Sequence, residues 1–270
     1  MSIKLKFRES ERLEKDRKIS DTTSVLTFMH QHIDRLLAIG RVRSSEMLTS
    51  ATNRFVEFRG GMDLSFTMLD SDMMQMFEAF LKGNGLKRNT IGFYMRTLRS
   101  AYNIAVERGL TTDTNPFKHV YTGKDKTIKR ALRPEQMKAI LSLDLSYKPH
   151  LAFARDMFLF SFYARGMAFV DMAFLRKKDL QGTHFSYCRR KTGQILTVEW
   201  MKEMQEIIDK YKVNPTQYLL PIITNKEKSE RRQYLNQSEN INHALKEISF
   251  LAGIDVNLTM YWARNTWGTL

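Results

Sequence analysis

A mainly α protein is predicted, with an N-terminal four-helix domain followed by a mixed α+β domain built round a small antiparallel sheet. Three observations predict it. Apolar residues recur at three- and four-residue spacing in four successive stretches between residues 22 and 112. A basic stretch with a proline, residues 113–133, follows them. From residue 134 to 270 helical patterns return, interrupted by two alternating runs with turn residues between them.

Residues 1–21 are mostly charged and read as a basic arm. The first helix carries Val25, Leu26, Met29, Ile33, Leu36 and Leu37 and stops at Gly40. Leu48, Ala51, Phe55 and Phe58 mark the second, closed by Gly60-Gly61. Asp70 or Ser71 can cap a third, which buries Met73, Met74, Phe77, Phe80 and Leu81 and ends at Gly83. The fourth, Lys87 to Arg108, buries Ile91, Tyr94, Met95, Leu98, Tyr102, Ala105 and Val106. Lys87, Arg88, Arg96, Arg99 and Asn103 lie off that stripe. Such a basic face could lie along a DNA groove, and a solvated face would read the same. From Lys118 the linker holds Lys124, Lys126, Lys129, Arg130 and Arg133 against Asp125, a charge balance suited to crossing a phosphate backbone.

Pro134 opens the second domain at the favoured first helical position. A long apolar helix, His150 to Ala164, runs to Arg165-Gly166, which places Arg165 at a helix end. A short helix follows. Then His184–Tyr187 and Ile195–Trp200 alternate on either side of Lys191-Thr-Gly-Gln, a hairpin with a lysine at its tip. Further helices are expected over Trp200–Lys212 and Ser238–Leu251, with a polar loop over Asn225–Gln233 and a final helical stretch, LTMYWARNTWGTL.

Composition narrows the function. A net charge of +14 over 270 residues and a pI near 9.8 favour a polyanionic partner. One cysteine excludes an intrachain disulfide framework and a Cys-cluster zinc site, and the six histidines lack metal-ligand spacing, so no metal is expected. Glycine-rich phosphate loops and nucleophile elbows are absent. So are a signal-peptide core and an apolar run of membrane length, which points to a soluble, cytoplasmic protein.

Taken in order, the four-helix domain, the basic linker, Arg165 in ARGMAFVDMAFLRKKDL, Lys191 in RRKTGQ and Arg264 in YWARNTW resemble the tyrosine recombinases (phage-integrase family). The likeness runs from about Ser24 onward and is strongest to integrases of mobile elements in Bacteroides-type bacteria. It implies a SAM-like core-binding domain over 22–112 and a catalytic domain over 134–270. The implied function is site-specific DNA recombination through a covalent 3′-phosphotyrosine, without a cofactor, on double-stranded DNA and as a homotetramer. Arg165 and Arg264 match the family's two catalytic arginines, Lys191 its hairpin lysine, and Asp171 an acidic residue that supports the first arginine. Two arginines can grip the non-bridging oxygens of a five-coordinate phosphorus, and a lysine can protonate the leaving oxygen. Lys87, Arg88, Arg96, Arg99, Lys126, Lys129 and Arg130 would contact DNA.

Two departures stand out. Tyr261 replaces the usual histidine three residues before Arg264, and is expected to contact the phosphate or assist proton transfer. Only six residues follow Arg264, so the nucleophile is expected beyond Leu270 and this stretch to be inactive in cleavage. Trp267 is expected to pack into the core. The alternatives are a non-catalytic DNA-binding module derived from that family, or a basic helical protein for RNA or anionic lipid. The last lacks both an RNA motif and an interfacial helix.

Overall fold

The computed structural model describes residues 24–126 and 131–269. The expected arm, 1–21, and the linker residues Lys129 and Arg130 lie outside the described residues. The chain divides into two compact units between residues 127 and 128, each with its own apolar core.

The first unit holds four α-helices among its described residues: α1 Val25–Ala38, α2 Val42–Phe58, α3 Ser71–Gly83 and α4 Arg88–Glu107. Its core is the predicted stripes brought together, with Phe55 edge-on to Phe77 at 5.2 Å between ring centroids. Ser24 caps α1 by accepting from the Thr27 N–H, and Asp63 reaches back to accept from the Leu26 N–H at 3.0 Å. Asp70 caps α3 through the Met73 N–H at 2.8 Å.

The stretch 113–126 corrects the expectation of a linker. Phe117 and Val120 are buried in this unit's core, and the Tyr102 hydroxyl accepts from the Thr114 N–H at 3.0 Å. Burying one phenylalanine is worth about 1.5–3 kcal/mol, and it acts together with the Tyr102 hydroxyl and the helix side chains that bind the segment. Its many lysines mask those two anchors in the composition.

The second unit begins with α5, Pro134–Ser142. Next comes α6, Pro149–Tyr163, which buries Leu151, Ala154 and the run Asp156–Ser161 and is therefore central. Behind it follow α7 Phe169–Ala173, a 3₁₀ turn Lys177–Asp179, and strands β1 Leu180–Gln181, β2 His184–Cys188 and β3 Ile195–Glu199. The sheet is antiparallel in the order β1-β2-β3, with Phe185 paired to Val198 on the buried face. The remaining helices are α8 Lys202–Asp209, α9 Glu230–Leu251 and α10 Met260–Trp267.

Asp156 of α6 is buried, and Lys210 Nζ (3.0 Å) and the Tyr211 hydroxyl (2.8 Å) both donate to its carboxylate. Three local expectations change. Helix α9 starts eight residues before Ser238, at Glu230, because Ser229 caps it through the Arg232 N–H. Helix α8 is shorter than Trp200–Lys212. Trp267, expected in the core, is 45% exposed on the last turn of α10. Apolar side chains of α10 go inward at Met260, Trp262 and Ala263 instead.

Candidate active site

The end of α6 sets the first arginine. The helix closes with Gly166 N–H donating to Ser161 O at 2.8 Å, while the Ser161 hydroxyl donates to Met167 O at 2.7 Å. To make that reversal Arg165 takes a left-handed backbone, φ 56°, followed by Gly166 at 70°. A non-glycine residue there costs about 1–2 kcal/mol, and such strain concentrates at functional positions. The Arg165 side chain is exposed.

Gly166 joins this turn to α10. A Cβ placed on it would stand 3.0 Å from Arg264 Cα and 3.2 Å from Arg264 O. Two residues 99 apart in sequence, 165 and 264, therefore flank one backbone contact. Helix α10 is fixed by Asn242, whose Oδ1 accepts from the Met260 N–H at 2.9 Å. Leu132 N–H also donates to the buried Thr266 hydroxyl at 3.0 Å. Tyr261, one turn ahead of Arg264, is 67% exposed, so core packing is not its role.

The lysine hairpin is tethered to the same region. Asp171 is buried in the first turn of α7, and its Oδ1 accepts from the Arg190 N–H at 2.9 Å. The resemblance had implied support of Arg165; the contact the structure gives Asp171 is with the hairpin. The Arg190 guanidinium lies over the Phe174 ring at 3.8 Å. Lys191 follows it on the turn, exposed, and Gly193 closes that turn at φ 71°. Among the described residues, the side chains of Arg165, Lys191 and Arg264 have no hydrogen-bonding or ionic partner. Several other cations of this unit are occupied: Lys148 pairs with Glu247, Arg176 with Asp179, and Lys177 holds the carbonyls of Asn214 and Thr216.

Tyr187 of β2 went unremarked in the sequence. It lines a cavity of about 280 Å³ with Asp171, Asp179 and Arg190. Burial raises its phenol pKa and Asp171 adds to that, while Arg189 and Arg264 oppose it. Its place in an alternating strand gave no sign of these neighbours.

The basic face of α4 is largely engaged. Arg88 lies over the Tyr121 ring at 4.1 Å and pairs with Asp125 at 3.7 Å. Arg96 donates to the carbonyls of Thr122 and Gly123, and Arg99 to the Thr122 hydroxyl at 3.3 Å. Asn89 binds both backbone groups of Asp125. These side chains strap residues 121–125 along the helix, whereas Lys87 and Lys126 stay exposed. A cavity of about 660 Å³ between α1, α2 and α4 gathers Arg35, Arg41, Arg96 and Arg108, with Glu107 as the carboxylate in its lining. Arg35, Arg41 and Arg108 were missed because each sits at a helix end, outside any stripe.

No group of three or more His, Cys, Asp or Glu side chains among the described residues is arranged to hold a metal ion. No helix among them is long and apolar enough to cross a membrane.

Residues 24–126 match the family model of the phage integrase SAM-like domain. No curated protein matches the chain. Solved structures do. A lambda integrase tetramer bound to a Holliday junction aligns with 92% of this chain and 73% of its own, at TM-score 0.65 and 14% identity. A lambda integrase dimer bound to a COC′ core site aligns over 92% and 89%, at TM-score 0.66 and 14% identity. The Tn1549 transposon integrase in complex with transposon right end DNA aligns over 92% and 86%, at TM-score 0.64 and 15% identity. Residues 24–126 thus resemble the phage integrase SAM-like domain, and the chain as a whole shares the fold of the lambda and Tn1549 integrases.

Proposed function

We propose that this chain is a site-specific DNA recombinase of the tyrosine-recombinase class, breaking and rejoining strands through a 3′-phosphotyrosine. The observation that carries the reading is the joint at Gly166, which holds Arg165 and Arg264 on either side of one backbone contact with both guanidinium groups unengaged. Two planar forks at one place suit a phosphate that gains charge during reaction, and a lysine would not replace either fork. The lambda and Tn1549 integrases, whose fold this chain shares, are seen on DNA, which supports double-stranded DNA as the partner. The lambda tetramer supports a homotetramer as the working assembly.

In the proposed reaction a tyrosine oxygen attacks phosphorus, its phenol proton passing to solvent, and the bond from phosphorus to the 5′-oxygen breaks. Lys191, which contacts the phosphate from the hairpin tip, gives its proton to that oxygen, and the reverse step takes it back. Arg165 and Arg264 hold the non-bridging oxygens, and Asp171 keeps the hairpin near α7. The balance requires no cofactor. Tyr261 shares a helix with Arg264 and contacts the phosphate; in-line attack needs an oxygen opposite the leaving group, carried by a different element. The first unit grips the duplex through Lys87, Lys126 and the arginines of its cavity.

The test is Arg165→Lys in the full-length protein on a nicked duplex. Cleavage should fall about 10²–10³-fold, as for loss of a transition-state donor, with duplex binding nearly unchanged. Near-normal cleavage would remove Arg165 from the site. A covalent adduct mapped to Tyr261 would make that residue the nucleophile and overturn its role as a phosphate contact.

A further inference from the structure

We propose that Arg190 is a positioning residue for Lys191, acting through the face of Phe174; the inference rests on the reading of Lys191 as a phosphate contact. Arg189, Arg190 and Lys191 are three successive cations on one turn. Mutual repulsion would splay them unless one is parked. Arg190 is the parked one, its guanidinium 3.8 Å from the Phe174 ring centroid and its N–H donating to Asp171 Oδ1 at 2.9 Å. Backbone and side chain of one residue are thus held at separate points.

The platform itself cannot turn away. Phe174 is edge-on to Tyr218 (5.5 Å, 87°) and to Tyr234 (5.7 Å, 64°), and the Tyr218 hydroxyl donates to Glu230 at 2.8 Å. Phe174, Tyr218 and Tyr234 come from the end of α7, the loop before α9, and α9. Below the tip, Arg189 N–H donates to Gln194 O at 2.8 Å and the Cys188 thiol to Gly193 O at 3.3 Å. Lys191 therefore projects from a turn whose backbone is held on both sides.

The test is a double-mutant cycle on affinity for fluorescein-labelled duplex DNA at one fixed salt concentration. Arg190→Lys keeps the charge and loses the flat face. It should weaken binding about two- to five-fold when Lys191 is present and have no effect in the Lys191→Ala background. Phe174→Tyr keeps a ring under the guanidinium and should bind like the parent. Equal loss in both backgrounds would mean that Arg190 touches DNA itself or merely holds the fold, and would overturn the proposal. So would no loss in either. If Lys191→Ala alone leaves affinity unchanged, the reading of Lys191 as a phosphate contact falls and takes this inference with it.

Discussion

His32 is a useful residue to begin with, because its chemistry conflicts with its surroundings. It is 8% exposed, its ring is stacked on Phe28 with centroids 5.9 Å apart, and its Nδ1 has no partner. Burial lowers its pKa, and the charges of Arg108 and Arg35 lower it further. A depressed folded pKa means that the unfolded chain takes the proton first. Stability is therefore complete above the ordinary histidine value of about 6.5 and is lost as pH falls toward the folded value. His32→Phe keeps the stacking and should flatten that loss, compared by denaturant melts at about pH 7.5 and 5.5. An unchanged pH dependence would show that His32 is not its source. Asp63 and Glu78 do not obscure the window. Burial opposes their ionisation, but hydrogen bonds from Ser24 and backbone N–H groups, and from Lys82 and the Tyr121 N–H, hold both below the usual carboxylate range. At this scale the sequence was legible where a rule is local. Arg165 falls at a helix end because an apolar run meets Gly166. The partner of Asp171, 19 residues away along the chain, was not legible, and neither was the exposure of Trp267.

Among the elements, the strap on α4 was the least legible in advance. Its sequence looks like solvated linker, yet four side chains of the helix bind it. Gly92 makes room for it: a Cβ there would stand 2.6 Å from Gly123 O and 2.9 Å from Tyr121 Cε1. Gly92→Ala sets two effects against each other. Alanine gains up to about 1 kcal/mol of helix propensity, while a contact of that length to a backbone oxygen forces the strap outward. The unit should therefore melt at nearly the same temperature while trypsin cuts faster after Lys124 and Lys126. Unchanged cutting would mean that the strap is not held by this contact. The start of α9 was hidden for a related reason: its first turns carry few apolar residues, and a serine cap rather than a stripe begins the helix. The hairpin and the four N-terminal stripes were plain, since period and turn residues agree there.

At the scale of the whole molecule, charge is the dominant quantity, and the fold decides which charges are available. A net charge of +14 predicts salt-sensitive DNA binding. With about six to ten phosphates contacted, affinity should fall about 10³–10⁵-fold between 50 and 200 mM salt. A flat response in an anisotropy titration would rule out the duplex grip. Single substitutions should then sort the arginines. Arg41→Ala should lower the slope of log affinity against log salt by about 0.9, whereas Arg96→Ala, whose guanidinium already holds two carbonyls, should lower it less. Composition alone counts these two equally. The mainly helical architecture with its small sheet was legible because each core is assembled from patterns local in sequence. The joining of residues 165 and 264 depends on chain reversal, and no pattern in one stretch records it.

That joint carries a genetic consequence. Gly166 is required twice, once for its left-handed backbone at φ 70° and once for the approach of Arg264. The obstructing atoms include the Cα and carbonyl oxygen of Arg264, which every amino acid possesses. A selection for second-site suppressors of Gly166→Ala should therefore return no replacement at position 264. Revertants should restore glycine, or arise where α10 as a whole can shift. Recovery of the parental melting temperature in Gly166→Ala by a smaller side chain at 264 would show that the obstruction was Cγ alone and that the backbone can give way.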